Sequence, residues 1–542
     1  MNRAAANQAA VRRARRQSTA KAAAVAHRNW TGRQLWCLFA LTLLAAGLRM
    51  LCLGDWSMWV DEAHSWRDAT MRWDGPGSFL ESDRSRYPST FVLLRALLQL
   101  GLGDDEWSLR LPFAFVGILT VPLMAICGRR LVGAWPAICA AAILVVDPWH
   151  LFWSQNARGY ALMLPFCVMA VHRAEVFRSR GGLGNLMLLV LLLAAGSSCH
   201  PTAAILAVGL FGYLVLRSLS TRVRSVVVRV GLVLLIAGLL AVSMPWAIRQ
   251  YAPFQGFLAA KSNPSILHFA ETVLYYFRPA LLLLVLLGML LMPSVLGSAR
   301  ALLLTSLFMV PLLALSVVGF QLVKVTARYA LPVLPIACWL AGLVVVEIAR
   351  RLRARSDESR LAILALSLCL PALVTVDRLL LDVSYYRSQH GQRGQWRTAS
   401  EFVEKQAELR GRKGVRVLTT SEPTLLYYLR RQHWFGIIDP KRDPYPNTHV
   451  HATLEWEFFA GEDQDGRRLH EPGPAAHLAW HRAAADRGDQ LFAIVVTQPP
   501  LAALDRDGAI AGLLQRDYEL VLHLPCWIGP KDESVYVYLP KR

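Results

Sequence analysis

Two adjacent carboxylates, Asp61 and Glu62, stand in the run WVDEAHSW, a few residues past an apolar block that ends near Leu53. Charges placed beside hydrocarbon are expensive and tend to persist where they work. A carboxylate in that position can take a proton from an incoming hydroxyl. With Glu62 or His64 it can instead hold a divalent cation such as Mg, Mn or Ca. The plainer reading is an acidic loop paired with Arg67. A two-residue DE does not decide among these.

Three further stretches carry chemistry-bearing side chains. The run DPWHLFWSQNARGYAL (147–162) brings Asp147, His150, Gln155, Arg158 and Tyr160 to one turn between apolar blocks. Arg158 offers a planar fork of donors matched to phosphate oxygens. Snorkelling into an aromatic belt is the competing account. The run KVTARYALPVLP (324–335) places Lys324, Arg328 and Tyr329 at the start of another apolar block, where an anionic headgroup would explain two cations. Pro332 and Pro335 would bend that start and leave carbonyls open. In SSCHPT (197–202), His200 sits between two blocks and can face a sugar or simply occupy a tight turn.

The elements that must position these groups are membrane helices. Of 542 residues, 54% are hydrophobic, 18% are charged and the net charge is +20; the mean hydropathy is +0.35. A soluble chain carries nearer a quarter of its residues as charges. Apolar blocks near 34–53, 109–128, 132–147, 159–174, 183–199, 201–217, 226–247, 278–296, 301–320, 329–348 and 361–379 predict about eleven spans. Residues 1–33 hold eight Arg or Lys and no acid, and no cleavage site follows the first block. This reads as a basic cytoplasmic tail before an uncleaved span. Alternate breaks then contain Arg129 and Arg130, Arg173 to Arg180, Arg217 to Arg229, Arg300, and Arg350 to Arg360. Arginine on every inner break is the positive-inside pattern. It also accounts for the charge without nucleic acid, because the tail lacks interleaved aromatics.

The polar pieces fall on the other side. Loop 54–108 carries ten acids and Trp56, Trp59, Trp66 and Trp73, which suit headgroup depth. Within it, TFVLLRALLQL (90–100) is too short to span and reads as an interfacial helix. Residues 381–542 are polar enough for a soluble extracytoplasmic α/β domain. Helices are expected over QWRTASEFVEKQAELRG, around 422–431 and around 507–515. Strands are expected at 415–420 and 490–497, with edge strands near 518–523 and 534–539. His433, His449, His451, His470 and His481 lack metal spacing and read as surface residues. Nine cysteines without a CxxC signal neither a disulfide framework nor a thiolate metal site.

Taken in order, DWSMWVDEAHSW, the run from Arg86 to Gly133, DPWHLFWSQNARGYAL, CHPT and ARYALPVLP resemble the GT-C glycosyltransferases of the dolichyl-phosphate-mannose–protein mannosyltransferase and lipid A aminoarabinose transferase type. The resemblance implies an inverting transfer from a polyprenyl-phosphate sugar donor to a glycan, lipid or protein acceptor of the envelope. It implies that Asp61, with Glu62 beside it, serves as base or orients the acceptor. It implies a second acid at Asp147, phosphate contacts from Arg158 and Arg328, and a membrane-lipid environment. The Ala/Arg-rich composition points to a bacterial cytoplasmic membrane. The competing classes are a polyprenyl-linked glycan flippase or transporter, and an O-antigen ligase or polymerase-type enzyme.

Overall fold

On the first helix, α1 (Gly32–Met50), Leu35, Phe39 and Leu43 recur every four residues and are each about half exposed. In water such a stripe would drive aggregation; in lipid it is the solvated face. The computed structural model describes residues 30–70, 87–220, 266–321, 325–353, 360–430, 447–452, 474–497, 508–528 and 531–541. The chain is a polytopic α-helical membrane protein with several long apolar helices and a C-terminal region built on a sheet.

After α1 come two helices of the 54–108 loop, α2 (Val60–Thr70) and α3 (Pro88–Gln99). Next are α4 (Glu106–Val132), α5 (Ala134–Val145), α6 (Pro148–Ser154), α7 (Gly159–Arg180), α8 (Leu183–Cys199) and α9 (Ile205–Ser220). Then follow α10 (Ile266–Phe277), α11 (Pro279–Leu296), α12 (Ser298–Gln321), a 3₁₀ turn over Ala327–Val333, α13 (Leu334–Arg353) and α14 (Arg360–Arg387). Among the described residues five helices are long and apolar enough to cross a membrane, or six if the bent pair α5 and α6 is one span. The blocks at 183–199 and 201–217 form shorter apolar helices. The block at 226–247 lies outside the described residues. α1 and α14 occupy the first and last blocks but are not among the five.

The bend has a local cause. Asp147 precedes a proline, which pushes it to extended backbone (φ −83°, ψ 113°) and ends α5. Pro148 then fits the first turn of α6, where its missing N–H costs nothing. The Asp147 side chain caps that turn by accepting from the His150 amide at 2.9 Å. The two segments meet at 65°.

The short helix α3 forms as expected, with Thr90, Phe91, Leu94 and Leu98 inward and Val92 outward. Three tryptophans of the loop are packed inside the protein. Trp56, Trp59 and Trp66 are buried, and each packs edge-on against aromatics distant in sequence: Tyr385, Phe152 and Trp153, and Tyr427 respectively. Burying a ring removes more apolar area from water than resting it on an interface does. Trp73 lies outside the described residues.

In the C-terminal region α15 (Trp396–Leu409), β1 (Gly414–Thr419), α16 (Glu422–Arg430), β2 (Thr448–Ala452), α17 (Pro474–Arg487), β3 (Gln490–Thr497), α18 (Ala509–Asp517), β4 (Tyr518–Leu524), β5 (Trp527–Ile528), β6 (Lys531–Asp532) and β7 (Val535–Pro540) follow in order. The main sheet runs β2-β1-β3-β7-β4, parallel from β2 to β3 and antiparallel beyond. β3 is buried throughout because both its faces are covered. Leu491, Ala493 and Val495 pack with α15 and α16, while Phe492, Ile494 and Val496 pack with α17 and α18. The strand at 535–540 is not an edge: it lies between β3 and β4. One edge is instead β2, which carries His449 and His451. His451 lies 4.5 Å from the buried His481, ring to ring, and Arg416 reaches both. His481 is therefore a packed core group, with His451 against it, while His449 and His451 stay part-exposed on the edge strand. His433 and His470 lie outside the described residues.

Close helix contact in the core depends on small residues. A Cβ at Gly342 of α13 would stand 2.2 Å from the Pro136 carbonyl of α5, which is backbone and cannot swing aside. Gly342→Ala should therefore cost about 1–3 kcal/mol, read as a lowered thermal midpoint of the detergent-purified protein. An unchanged midpoint would show that α5 and α13 are not in this contact.

Candidate functional site

Asp61 and Glu62 are neighbours on α2, so helical geometry sends them about 100° apart. Glu62 points inward and is fully buried. Its Oε1 accepts from Arg110 Nε at 2.9 Å and from the Ala157 amide at 2.8 Å. Its Oε2 accepts from Arg110 Nη2 and the Trp59 amide, both at 2.9 Å, and from Arg393 Nε at 3.3 Å. Burial alone would raise its pKa, but Arg110 and Arg393 outweigh that and hold the carboxyl at about 2. Both oxygens are committed to N–H donors, so Glu62 organises the site and has no lone pair to spare for a proton or a metal.

Asp61 points the other way, with its side chain 31% exposed. Arg328 Nη1 stands 4.0 Å from Asp61 Oδ2 and is itself 32% exposed. Arg328 is carried by the 3₁₀ turn, which α10 holds through an Ala327 amide donating to Thr272 Oγ1 at 2.9 Å. Its Nη2 donates to the Tyr329 hydroxyl at 3.1 Å. Arg158, at the mouth of α7, donates from Nη1 to the Asp61 carbonyl (3.2 Å), Ser65 Oγ (2.9 Å) and the Tyr87 hydroxyl (3.2 Å). The Nε atoms of Arg158 and Arg328 are buried and have no hydrogen-bond partner among the described residues. Tyr160 lies within electrostatic reach of Asp61, Arg158, Arg328 and Tyr329. Its ring stacks on His200 at 3.8 Å and on Trp153 at 3.9 Å. Burial, reinforced by Arg158 and Arg328, pushes the His200 imidazole well below its ordinary range, so the ring is neutral.

The structure thus brings together Asp61, Arg158, Tyr160, His200, Arg328 and Tyr329 from four separate stretches. It sends other expected residues elsewhere. Asp147 is fully buried and pairs with Arg378. His150 is bonded to Arg49 Nη2 at 2.7 Å in the same buried cluster. Gln155 Nε2 caps the end of α1, donating to the carbonyls of Leu48, Arg49 and Leu51, while its Oε1 accepts from Tyr385. His64 turns toward Arg67, 3.2 Å away, and Arg67 pairs with Glu422 of α16. Lys324 lies outside the described residues. Asp61, Glu62 and His64 therefore do not converge as a ligand set, and among the described residues no group of three or more His, Cys, Asp and Glu is arranged to hold a metal ion.

Sequence reasoning passed over Ser65, Tyr87, Arg110 and Arg393. Ser65 had a signal, being one turn from Asp61. Arg110 had one as well, as an ionisable residue inside an apolar block. Tyr87 and Arg393 had none, since only the folded chain brings them to Arg158 and Glu62.

Glu62→Gln strips the charge from a carboxylate shared by two buried arginines and should cost about 3–5 kcal/mol. The folded pKa of about 2 lies below the ordinary 4.5, so this stabilisation is complete above pH 4.5 and is lost as pH falls toward 2. Thermal midpoints should drop across that window more in wild type than in Glu62→Gln. Parallel curves would contradict the hub.

A family model described as dolichyl-phosphate-mannose-protein mannosyltransferase matches residues 85–248. No curated protein matches the chain. Solved structures do. ArnT from Cupriavidus metallidurans in the apo state is 14% identical, with TM-score 0.51, 94% of this chain and 98% of that chain covered. The same protein bound to undecaprenyl phosphate is 14% identical, with TM-score 0.51 and coverages of 92% and 97%. The Archaeoglobus fulgidus oligosaccharyltransferase tethered to an acceptor peptide is 11% identical, with TM-score 0.52 and coverages of 94% and 74%. The chain shares the fold of these proteins over nearly its whole length.

Proposed function

We propose that this chain is an inverting glycosyltransferase that moves a sugar from a polyprenyl-phosphate carrier to an acceptor hydroxyl. The observation that carries the reading is the pairing of one solvent-reaching carboxylate, Asp61, with two arginine forks that each keep a buried, unpartnered Nε. A site rich in unspent donors beside a carboxylate matches a reaction in which an anion departs as a proton is taken. The resemblance to the mannosyltransferase model and the undecaprenyl phosphate held by the Cupriavidus protein support the class of donor.

In this reading the acceptor oxygen attacks the anomeric carbon as the bond from that carbon to the phosphate oxygen breaks. The electron pair leaves with the lipid phosphate, and the acceptor proton goes to Asp61. Direct displacement inverts the anomeric centre. Arg158 and Arg328 offset the charge that grows on the departing phosphate, with Lys324 close by in sequence. The phosphate is a good leaving group and needs no general acid. Glu62 and Asp147 position helices. The neutral His200 and Tyr160 wall the site.

Around this site we assign about eleven spans, a cytoplasmic N-terminus, and residues 381–542 as an extracytoplasmic domain of a bacterial inner-membrane protein. The acceptor is a glycan, lipid or protein of the envelope. The arginine-bearing breaks support this orientation.

Transfer assays with purified protein, polyprenyl-phosphate sugars and extracted envelope acceptors test the assignment. Asp61→Asn should lower kcat by about 10²–10⁴-fold, and full activity in that variant would remove the base. Arg158→Ala and Arg328→Ala should each raise the donor KM by about 10- to 100-fold, the worth of a charge-assisted contact. An unchanged donor KM in both would remove the phosphate assignment.

A further inference from the structure

Among the described residues Arg158 is held through one of its three nitrogens. Nη1 meets three acceptors, the Asp61 carbonyl, Ser65 Oγ and the Tyr87 hydroxyl, whereas Nε has none. The Nε–Nη2 edge is the one whose two parallel N–H groups grip a pair of oxygens. An arginine held by one corner in this way presents that edge in a single direction.

The locks come from two elements that are themselves fixed. Ser65 lies one turn beyond Asp61 on α2, and its hydroxyl also donates to the Asp61 carbonyl at 3.1 Å. Ser65 therefore ties the guanidinium to the same helical turn that carries the base. Tyr87 begins α3. Its hydroxyl accepts from Nη1, and its ring lies 5.0 Å beneath the guanidinium carbon. That ring belongs to a column running Phe91, Tyr87, His200, Tyr160 and Trp153, every neighbour within 30° of parallel. The start of α3 is stitched to the end of α8 by Thr90 Oγ1 donating to the Cys199 carbonyl (2.9 Å) and by the Ser89–Ser198 hydroxyl pair (2.8 Å). A Cβ at Gly159, the first residue of α7, would run into that same Cys199 carbonyl, so α7 and α8 meet backbone to backbone, with the Thr90 side chain of α3 against both.

The lock matters because Arg158 stands next to a carboxylate. Left to itself, a guanidinium beside Asp61 would collapse onto the carboxyl oxygens, tying up the base and the cation together. Here Nη1 takes the backbone carbonyl of Asp61 instead.

We infer that Tyr87 and Ser65 are positioning residues that hold Arg158 off the Asp61 carboxylate and aim its free edge at the phosphate of the lipid donor. The inference rests on the phosphate role proposed for Arg158.

Steady-state kinetics and pH–rate profiles of Tyr87→Phe, Ser65→Ala, Ser65→Thr and Arg158→Ala test it, with a polyprenyl-phosphate sugar as the varied substrate. Tyr87→Phe keeps the ring column and removes only the hydroxyl. It should raise the donor KM by about 3- to 10-fold and move the acidic limb of the profile to lower pH, as Arg158 closes on Asp61 and stabilises its anion. Ser65→Ala should do the same, and Ser65→Thr, which restores a hydroxyl, should recover wild-type values. The acceptor KM should not change. A shifted limb separates positioning from simple loss of folded protein, which lowers activity equally at every pH. Wild-type donor KM and pH profile in both Tyr87→Phe and Ser65→Ala, alongside a raised donor KM in Arg158→Ala, would overturn the inference and leave the phosphate reading standing. A wild-type donor KM in Arg158→Ala would overturn the reading beneath it.

Discussion

The carboxylate of Glu62 is the point on which the arrangement depends. Removing a carboxylate from water costs several kcal/mol, recovered only when every lone pair finds a donor. Glu62 meets that condition with five donors: two from Arg110, one from Arg393 and the amides of Trp59 and Ala157. Arg110 lies in the first long apolar helix, Arg393 in the approach to the C-terminal sheet, and Ala157 in the turn before Arg158. A single side chain thus joins α2, α4, the 147–158 turn and the C-terminal region. The rotation it imposes on α2 sends Asp61 toward Arg328 and not into the core.

The same device recurs twice. Glu106, in the first turn of α4, accepts from Arg397 Nη2 at 2.6 Å and from the hydroxyls of Tyr427 and Tyr428. Asp147, at the start of α6, pairs with Arg378. Each of these three acids opens a helix, where the macrodipole already favours negative charge. Each meets an arginine from the short stretch 378–397. The end of the last apolar helix and the segment after it therefore run across three helix starts and fasten them. The polar C-terminal third is part of the scaffold that aims the site.

This accounts for part of the acid and tryptophan content of the loop between α1 and α4. Glu62 and Glu106 are anchors for C-terminal arginines, and Trp56 and Trp66 are packing for C-terminal tyrosines.

The sequence by itself determined the solvent and the chemistry available. Apolar blocks with arginine breaks require lipid, the short apolar run at 490–497 and its neighbours read as strands, and the ordered motifs from Asp55 to Tyr329 carry a recognisable resemblance. It also marked Asp61, Arg158 and Arg328, because an acid or arginine at the rim of an apolar block is costly unless it has work to do. Only the tertiary structure decided which of those polar groups are spent. Asp61 and Glu62 are indistinguishable as neighbours in a line, and a 100° turn of one helix separates a part-exposed carboxylate from a buried anchor. Asp147 reads as a second catalytic acid, and His150 and Gln155 as cavity residues, until Arg378, Arg49 and the end of α1 claim them. Tyr87 and Arg393 carry no local signal at all, since their partners lie 71 and 331 residues away. A side chain's role follows from whether its hydrogen-bonding capacity is already satisfied, and long-range packing alone settles that.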